Sequence, residues 1–361
     1  MITGLLVHLC IVGYFAHGMP KPPDSSNTRI RLYKLDEANK MSWRAEDLSD
    51  GLQLFHDQSY NRNQPTMLIA HGWFQHAEDP VVVELMESIF KVKFYEKMNI
   101  MVLDSPYFMD SPVSNVLYLT TLLTKLEMLG ESIADMFNGA IKEGLITADQ
   151  INLVGLSLGA QLSGYVGRAV TGKIYSIVGL DPAGPGFDSR FQNWTKLQHV
   201  SKSDAQFVHL YHTNSVTFGT NQRLGTADFE FNEGFSQPGC AMSIDPKCSH
   251  KRAFFIFIDI ILGDNKLKAL KCGTQADFKE CKCRGQPEVI LKYPVDTRAE
   301  GTYYLRTAPE APFGLGKPGV SCWGHHLEEL EKQEMDESPL TKTIQALQMI
   351  TETIRKTWNS E

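Results

Sequence analysis

The stretch Ile151-Asn-Leu-Val-Gly-Leu-Ser-Leu-Gly-Ala160 is an apolar run that breaks into the pattern GxSxG around Ser157. This pattern is typical of a nucleophile elbow, in which a strand turns sharply into a helix and exposes a serine at the turn. Gly155 and Gly159 lack a Cβ, so the two chain segments can approach closely there. Ser157 would lie at a helix N-terminus, where backbone N–H groups stabilise developing negative charge. A catalytic role additionally requires a base and a carboxylate from elsewhere in the chain.

Short apolar runs around this motif predict the strands of a buried sheet. They are residues 66–70, 99–103, 151–154, 174–180 and 206–211. Residues 115–143 carry apolar side chains at spacings near three and four, which predicts a helix packed on the sheet. Strands that alternate with helices predict an α/β fold with a mostly parallel central sheet flanked by helices.

The composition excludes several classes of protein. The 361 residues are 42% hydrophobic, which suffices for one large domain with a short appendage. A formal net charge of −7 without long basic runs argues against a nucleic-acid partner and against strong capture by anionic membranes. After the N-terminus no stretch is long and apolar enough to predict a transmembrane segment.

The two ends of the chain differ from its middle. Residues 5–15 are apolar and end in Ala16-His-Gly18, which predicts a secretory signal peptide over residues 1–18, with a buried N-terminal strand as the alternative. A catalytic domain is expected over 19–322 in a secreted, extracellular protein. Residues 323–361 predict a helical tail, which docks on the domain or binds an interface or a partner.

Cysteine usage also favours export. An even number of cysteines remains after the predicted signal peptide, which predicts disulfides: Cys240, Cys248, Cys272, Cys281, Cys283 and Cys322. Cys240 with Cys248 is the most local pair. For the other four, Cys272–Cys281 with Cys283–Cys322 is favoured, although their pairing stays open. Asn193 begins an N-glycosylation sequon, which is meaningful in a secreted chain.

A zinc site is the competing interpretation of the cysteines. Cys281-Lys-Cys283 lacks the usual spacer of about two to four residues, and no histidine pair stands nearby at ligand spacing. We therefore expect neither a metal nor a cofactor.

Two aspartates could orient the catalytic base. Asp181 follows the apolar run Ile177 to Leu180 and precedes a Pro/Gly turn, one strand after the elbow. Asp104 also ends an apolar run. The chain order serine, aspartate, histidine favours Asp181.

Among eleven histidines, His250 is the preferred base. It follows Cys248, so a disulfide would fix the loop that presents it. His71 and His212 end apolar strands and are interpreted as structural residues. His325-His326 lies in the charged tail and is discounted.

An oxyanion hole requires two converging backbone N–H groups. One comes from the residue after the nucleophile, Leu158. The turn His71-Gly-Trp73 after the first buried strand supplies the second through Trp73, whose ring could line an acyl channel or simply fill a core turn.

Five motifs together resemble the pancreatic-lipase family of secreted α/β hydrolases, in the family's order. They are His71-Gly-Trp73, Gly155-Leu-Ser-Leu-Gly-Ala160, Gly179-Leu-Asp-Pro-Ala-Gly-Pro185, Gln237-Pro-Gly-Cys240 and Cys248-Ser-His-Lys-Arg-Ala253. The resemblance covers roughly residues 28 to 322 and implies an α/β-hydrolase fold. It implies Ser157 as nucleophile, Asp181 as carboxylate, His250 as base, and Trp73 with Leu158 as oxyanion donors.

Three departures from the family bear on the substrate. Leu156 stands where the family usually has histidine, which bears on substrate shape. Only Ala241 to Lys247 separate Cys240 from Cys248, where triacylglycerol lipases of the family carry a long lid, and the loop 213–227 is also short. No C-terminal β-sandwich follows Cys322, so a colipase-type partner is not expected. The two loops resemble those of phospholipase A1 members, including insect ones.

We therefore expect a serine hydrolase that acts on lipid substrate at an interface and releases fatty acid as phospholipases A1 do. A triacylglycerol or galactolipid lipase is the alternative within this class. A non-catalytic, yolk-protein-like lipid-binding or storage protein is the alternative from another class, although Ser157, Asp181 and His250 are all retained. The sequence makes no prediction of oligomeric state.

Overall fold

A single mixed sheet runs through the residues that the structure describes. The computed structural model covers residues 28–73, 75–105, 114–189, 197–215, 217–240, 243, 245–263 and 266–321, and for 114–124 the backbone alone. The predicted signal peptide (1–18), Asn193, Cys322 and the predicted tail (323–361) lie outside these residues.

Six adjacent parallel pairings form the centre of the sheet, and antiparallel pairs complete both edges. The order is β10-β9-β11-β8-β7-β6-β5-β3-β4-β1-β2, with parallel pairing from β4 through β3, β5, β6, β7 and β8 to β11. Within the described residues the strands are β1 (Arg29–Leu35), β2 (Met41–Asp47), β3 (Thr66–Ala70), β4 (Asn99–Asp104), β5 (Ile151–Leu156), β6 (Ser176–Leu180), β7 (Phe207–His212), β8 (Ala227–Phe231), β9 (Lys268–Lys271), β10 (Glu288–Ile290) and β11 (Gly301–Leu305).

Helices cover both faces of this sheet. They are α1 (Pro80–Lys91), α2 (Ser114–Lys142), α3 (Leu158–Ala169), α4 (Cys248–Leu262) and α5 (Gln275–Lys279), with short 3-10 helices at Leu48–His56, Phe94–Glu96, Ala148–Gln150, Asn232–Gly234 and Pro318–Val320. Asp79 caps α1 by accepting a hydrogen bond from Val81 N–H, and Pro80 opens the helix. None of the helices in the described part of the chain combines the length and the apolarity that a bilayer crossing needs.

The sequence-based architecture is confirmed. All five predicted strands and the predicted helix are present, as β3 to β7 and α2. Every residue of β3, β4, β5 and β6 is buried, as expected for parallel strands with helices on both faces. On α2, Leu126, Leu129, Ile133 and Met136 are buried against the core. The chain therefore has an α/β-hydrolase fold with a mostly parallel central sheet flanked by helices.

Parallel pairing places the carboxyl ends of the central strands along one edge of the sheet. Ala70, Leu156, Leu180 and His212 end β3, β5, β6 and β7 respectively. The residues that follow these four ends are therefore neighbours in space, although more than a hundred residues separate the first from the last. This edge carries the candidate site.

The disulfide pairing is confirmed for one pair and corrected for another. Cys240 and Cys248 are bonded, with their Cα atoms 5.6 Å apart. Cys272 pairs with Cys283, not with Cys281 as favoured, so Cys283 is not the partner of Cys322. The chain leaves β9 at Lys271, forms the five-residue helix α5 and turns back, which brings the Cα of Cys283 within 5.5 Å of that of Cys272. Cys281 is disulfide-bonded as well.

Candidate active site

Ser157 occupies a sharp turn between β5 and α3. Its φ of 55° and ψ of −113° are a conformation that residues with a side chain rarely adopt. A Cβ on Gly155 would overlap the carbonyl of Gly159, and one on Gly159 would overlap the carbonyl of Ala70. Both flanking glycines are therefore required by close packing, and the predicted elbow is present.

The same turn exposes Ser157 while it buries its neighbours. Leu156 and Leu158 are 2% and 0% exposed, whereas Ser157 is only half-buried. Leu158 begins α3, whose first N–H groups have no acceptor within the helix. The serine hydroxyl and the start of the helix thus face the same accessible point.

Asp181 and His250 form a hydrogen-bonded pair. His250 Nδ1 lies 2.5 Å from Asp181 Oδ2, and both residues are buried, with Asp181 fully so. The other carboxylate oxygen, Oδ1, accepts hydrogen bonds from the backbone N–H groups of Thr213 and Asn214 at 2.8 and 3.0 Å. Both oxygens are therefore occupied, and the carboxylate is fixed in one orientation.

The alternative carboxylate, Asp104, makes different contacts. Its Oδ2 accepts from Arg31 Nη2 at 2.7 Å and from Arg29 Nη2 at 3.2 Å. Arg31 is 4% exposed and lies on β1, the antiparallel neighbour of β4. Asp104 thus neutralises a buried arginine, and Asp181 is the aspartate that meets a histidine.

His250 is held in place by the start of α4. Cys248, the first residue of that helix, is tied to Cys240 by the disulfide. Ser249 Oγ accepts a hydrogen bond from Gln237 N–H at 3.0 Å, and Gln237 Nε2 donates to the carbonyl of Thr213 at the same distance. Gln237 thereby links the helix that carries His250 to the residues that support Asp181.

Backbone hydrogen bonds bring the elbow to this pair. Ser157 N–H donates to the carbonyl of Leu180 at 2.9 Å, and the carbonyl of Ser157 accepts from Ala183 N–H at 3.1 Å. The segment that carries Asp181 therefore passes directly beside the serine. Among the described residues, His250 Nε2 and Ser157 Oγ have no hydrogen-bond partner, either each other or a third group. A catalytic serine and histidine often come within hydrogen-bond distance only in the complex with substrate.

The turn after β3 lies against the serine. A Cβ on Gly72 would come within 3.2 Å of Ser157 Cβ, so a larger residue there would force the turn or the serine to shift. Gly72 N–H donates to Gln75 Oε1 at 2.8 Å, which fixes the turn. Trp73 follows at this point and is half-buried against the core. The peptide N–H groups of Trp73 and Leu158 thus stand on two elements that meet at Ser157.

Sequence analysis missed how His71 and Gln75 support this turn. The His71 ring lies between the carbonyl of Gly72, 3.1 Å from Nδ1, and the N–H of Ser105, 3.3 Å from Nε2. Burial lowers its pKa to about 4, so the ring is neutral, with the proton on Nδ1. The structural interpretation of His71 therefore holds, and its structural task is to orient the Gly72 carbonyl.

His212 has a partner that the sequence did not reveal. Its Nε2 lies 2.8 Å from Asp228 Oδ1, and both residues are buried on the neighbouring strands β7 and β8. Burial opposes a charge on this ring. The hydrogen bond to Asp228 and the negative charges of Glu230, Asp228 and Asp181 nevertheless raise its pKa to about 9. A second histidine–aspartate pair therefore lies next to the first.

The departures from the family pattern have structural counterparts. Leu156 is 2% exposed and packs in the apolar core, so its side chain does not line the accessible side of the elbow. The loop between Cys240 and Cys248 is described at Ser243 and at 245–247, where Asp245 accepts a hydrogen bond from Lys247 N–H at 2.8 Å. The disulfide closes this loop beside the helix that carries His250.

Comparison with known proteins places the chain among lipases. Residues 15–313 match the protein family described as Lipase. Lipase member H-B of Xenopus laevis is 30% identical over 299 residues, which are 81% of this chain and 59% of the frog protein. Phospholipase A1 of Vespula maculifrons is 28% identical over 303 residues, covering 81% of this chain and 97% of the wasp protein. For Phospholipase A1 of Vespula vulgaris the identity is 29%, and 87% of its length is covered.

The chain covers these relatives unequally. It spans 59% of the length of Lipase member H-B and 48% of Lipase member H of Rattus norvegicus. The wasp proteins, by contrast, are covered almost from end to end.

Proposed function

The chain belongs to the pancreatic-lipase family, and from this premise we propose that it is a secreted serine hydrolase that releases fatty acids from lipid esters. One observation carries the proposal. The hydrogen bond of 2.5 Å between His250 Nδ1 and Asp181 Oδ2 lies at the sheet edge where the elbow presents Ser157. A buried carboxylate that fixes one ring nitrogen leaves the other available as a base, which is the arrangement that activates a serine.

The proposed first half-reaction acylates the serine. His250 Nε2 takes the proton of Ser157 as Oγ attacks the ester carbonyl, and Asp181 holds the Nδ1–H tautomer and stabilises the imidazolium. The N–H groups of Trp73 and Leu158 donate to the oxyanion. The tetrahedral intermediate then collapses, and the imidazolium gives its proton to the departing alcohol, which leaves an acyl-Ser157 ester.

The second half-reaction releases the acid. Water gives a proton to His250 Nε2 and attacks the acyl carbonyl, and the same two N–H groups again donate hydrogen bonds to the oxyanion. Collapse of this intermediate returns the proton from His250 to Ser157 Oγ and frees the fatty acid. No other group has to gain or lose a proton in the cycle.

Phospholipid is the proposed substrate, with cleavage at the sn-1 ester. The short loop from Ala241 to Lys247 supports this choice, because a short loop beside His250 leaves room for a polar headgroup. The wasp relatives named Phospholipase A1 are matched over nearly their whole length. Triacylglycerol or galactolipid is the alternative substrate. The disulfides Cys240–Cys248 and Cys272–Cys283 support an extracellular location.

Fatty-acid release from defined lipids tests the proposal. Purified protein is compared with Ser157→Ala on phosphatidylcholine vesicles and on triacylglycerol emulsion. Ser132→Ala is the matched control, because Ser132 is an exposed serine on α2 whose hydroxyl donates to the carbonyl of Met128 in its own helix. We expect release by wild type and Ser132→Ala, and a loss of about a millionfold in Ser157→Ala.

The same assay separates the alternatives. Equal release by wild type and Ser157→Ala from both lipids would reject the enzyme and favour a lipid-storage role. Cleavage of triacylglycerol alone would retain the hydrolase and reject the substrate inferred from the short loop. Cleavage of phosphatidylcholine at the sn-2 position alone would reject the proposed regiochemistry.

A further inference from the structure

Among the described residues, the ring of the buried His212 has an acceptor beside each of its two nitrogens. Nδ1 lies 3.2 Å from the carbonyl oxygen of Thr220, and Nε2 lies 2.8 Å from Asp228 Oδ1. A carbonyl oxygen can only accept, so Nδ1 carries a proton. Asp228 Oδ1 and Oδ2 also accept hydrogen bonds from the backbone N–H groups of Leu224 and Gly225, at 3.3 and 3.1 Å respectively, so both of its oxygens act as acceptors. Nε2 therefore also carries a proton, and the ring is a cation.

Acidic side chains lie around the His212 ring, as expected if the ring carries a positive charge. Asp228 and Glu230 face it from β8, and Asp181 faces it from the end of β6. Glu230 is in turn paired with Arg223, whose Nη2 lies 3.1 Å from Glu230 Oε1. His212 is fully buried, so its charge is not screened by solvent and acts on its neighbours at close range.

The two hydrogen bonds of the His212 ring tie together the ends of the segment that follows β7. His212 is the last residue of β7, and Thr220 is the far end of the segment that follows. The Nδ1 bond therefore joins the end of this segment to its beginning, while the Nε2 bond anchors both to β8. Val216 is the one residue of this segment that is not described.

The closed segment encloses the carboxylate of Asp181. Thr213 and Asn214 donate their N–H groups to Asp181 Oδ1. On the other side, a Cβ on Gly219 would come within 2.5 Å of Asp181 Oδ1, so the backbone there lies against the same oxygen. The ring of Phe218 also contacts that of His250, with centroids 5.5 Å apart. A shift of this segment would move the donors of Asp181 and a neighbour of His250 together.

We propose that His212 is a positioning residue: held between Thr220 and Asp228, it closes the segment that orients Asp181 toward His250. The inference rests on the proposed function, because orientation of Asp181 matters for catalysis only if Asp181 and His250 serve Ser157. His212 touches neither of the reacting groups and acts through the backbone of Thr213 and Asn214. Its removal lowers the rate of the chemical step and leaves substrate binding unchanged.

His209 provides a matched control on the same strand. It is 3% exposed and lies three residues before His212, and its Nε2 has no hydrogen-bond partner in the described part of the chain. Burial lowers its pKa to about 4, so this ring is neutral. Substitution of His209 tests what loss of a buried ring from β7 does to the fold without touching the segment around Asp181.

The experiment is a double-mutant cycle on hydrolysis of a soluble ester, p-nitrophenyl butyrate. His212→Gln, His209→Gln, Asp181→Asn and the pair His212→Gln/Asp181→Asn are compared at pH 7.5, well below their thermal transitions. We expect His212→Gln to lower kcat by about 10- to 100-fold with KM within about twofold of wild type. In the Asp181→Asn background the same change costs less than about threefold, because the carboxylate that it positions is gone. His209→Gln stays within about threefold of wild type in kcat.

Three outcomes would overturn the inference. They are an unchanged kcat in His212→Gln, an equal loss from His212→Gln with and without the Asp181 carboxylate, and an equal loss from His209→Gln. Failure of the proposed function has a different signature, because Asp181→Asn and Ser157→Ala would then themselves retain activity.

If His212→Gln does not fold, a second measurement on the wild-type protein tests the inference. The ring nitrogens of His212 in the wild-type protein are observed by 15N NMR at pH 7.5. The inference predicts protons on both nitrogens. A single protonated nitrogen would overturn it, since a neutral ring cannot donate to both Thr220 and Asp228.

Discussion

Two histidine–aspartate pairs lie side by side at one edge of the sheet, and they differ in what surrounds the ring. In the first pair His250 Nδ1 meets Asp181, and Nε2 has no partner among the described residues. In the second pair His212 Nε2 meets Asp228, and Nδ1 meets the carbonyl of Thr220. The first ring can exchange a proton with a substrate, whereas the second is saturated and buried. Whether such a pair serves as a base or as a fixed charge depends on what surrounds the ring nitrogen that does not face the aspartate.

The separation of these residues along the sequence does not indicate which of the two pairs is the reactive one. His250 is 69 residues from Asp181, and His212 is 16 residues from Asp228. Yet the two pairs share a boundary, because Thr213 and Asn214 follow His212 directly and donate to Asp181. The fixed pair thus shapes the surroundings of the reactive one.

The largest expected effect comes from removal of the charge of the reactive pair. Asp181→Asn should lower kcat by about ten-thousandfold, because the amide cannot both accept from His250 Nδ1–H and stabilise an imidazolium. The free energy of unfolding should change far less. Steady-state kinetics on p-nitrophenyl butyrate and urea unfolding of the same preparation measure both quantities. A loss in kcat of less than about tenfold would contradict the assignment of Asp181.

Asp104 should respond in the opposite way. Asp104→Asn removes the buried carboxylate of Arg31 and leaves it only the exposed Glu78, 3.1 Å away, so the free energy of unfolding should fall by about 3 kcal/mol. The kcat of the protein that remains folded should stay within about threefold of wild type. Urea unfolding and kinetics at low temperature check the two parts. A drop in kcat comparable to that of Asp181→Asn would contradict the choice of Asp181 over Asp104 as the catalytic carboxylate.

The pair of His212 and Asp228 predicts that the free energy of unfolding depends on pH. Because the pKa of His212 rises from 6.5 in the unfolded chain to about 9 in the folded protein, its contribution is complete below about pH 6.5. It is lost as pH rises through about 9, and its size is about 3 kcal/mol. Urea unfolding at pH values between these limits should show wild type losing stability faster than His212→Gln. Parallel curves for the two proteins would show that His212 is neutral when folded.

The smallest expected effect concerns the turn after β3, which lies against Ser157. Gly72→Ala places a Cβ 3.0 to 3.3 Å from Gln75 Oε1, Ser157 Cβ and the carbonyl of Leu156. We expect kcat to fall about tenfold, because the turn must shift away from the serine. Gly273→Ala is the control, since its nearest neighbour would be Asp277 Oδ2 at 4.0 Å. Similar kinetics for the two variants would show that the Gly72 turn does not form part of the oxyanion site.

Local signals predicted the centre of the molecule and failed at its edges. The buried parallel strands β3 to β7 follow apolar runs, and Gly155 and Gly159 mark the elbow, so both could be inferred from neighbouring residues. β8 is parallel and buried as well, but Asp228 and Glu230 interrupt its apolar pattern, and it was not predicted. The edge strand β10 has only three residues, and the edge strand β2, although seven residues long, is largely exposed, so neither carries such a pattern. The pairing of Cys272 with Cys283 depends on how α5 turns the chain back, and sequence spacing alone does not determine that path.

In the candidate site, too, local patterns predicted some residues and missed the contacts of others. Ser157 and Asp181 directly follow strands, and chain order selected the aspartate, so local patterns sufficed. The partners of His71 and His212 come from other strands or from turns, and their contacts arise only when the sheet forms. Burial then decides their protonation in opposite senses, with a neutral ring at His71 and a charged one at His212. A single sequence carries no local signal for such contacts.

Covalent labelling shows whether Ser157 is an activated nucleophile. The protein is treated with an alkyl fluorophosphonate, and the modified peptide is identified by mass spectrometry in wild type and in Asp181→Asn. Attack by an activated hydroxyl displaces fluoride, so we predict rapid modification of Ser157 in wild type and a strongly reduced rate in Asp181→Asn. Modification of another residue, no modification of wild type, or equal rates in the two proteins would contradict activation of Ser157 by His250 and Asp181.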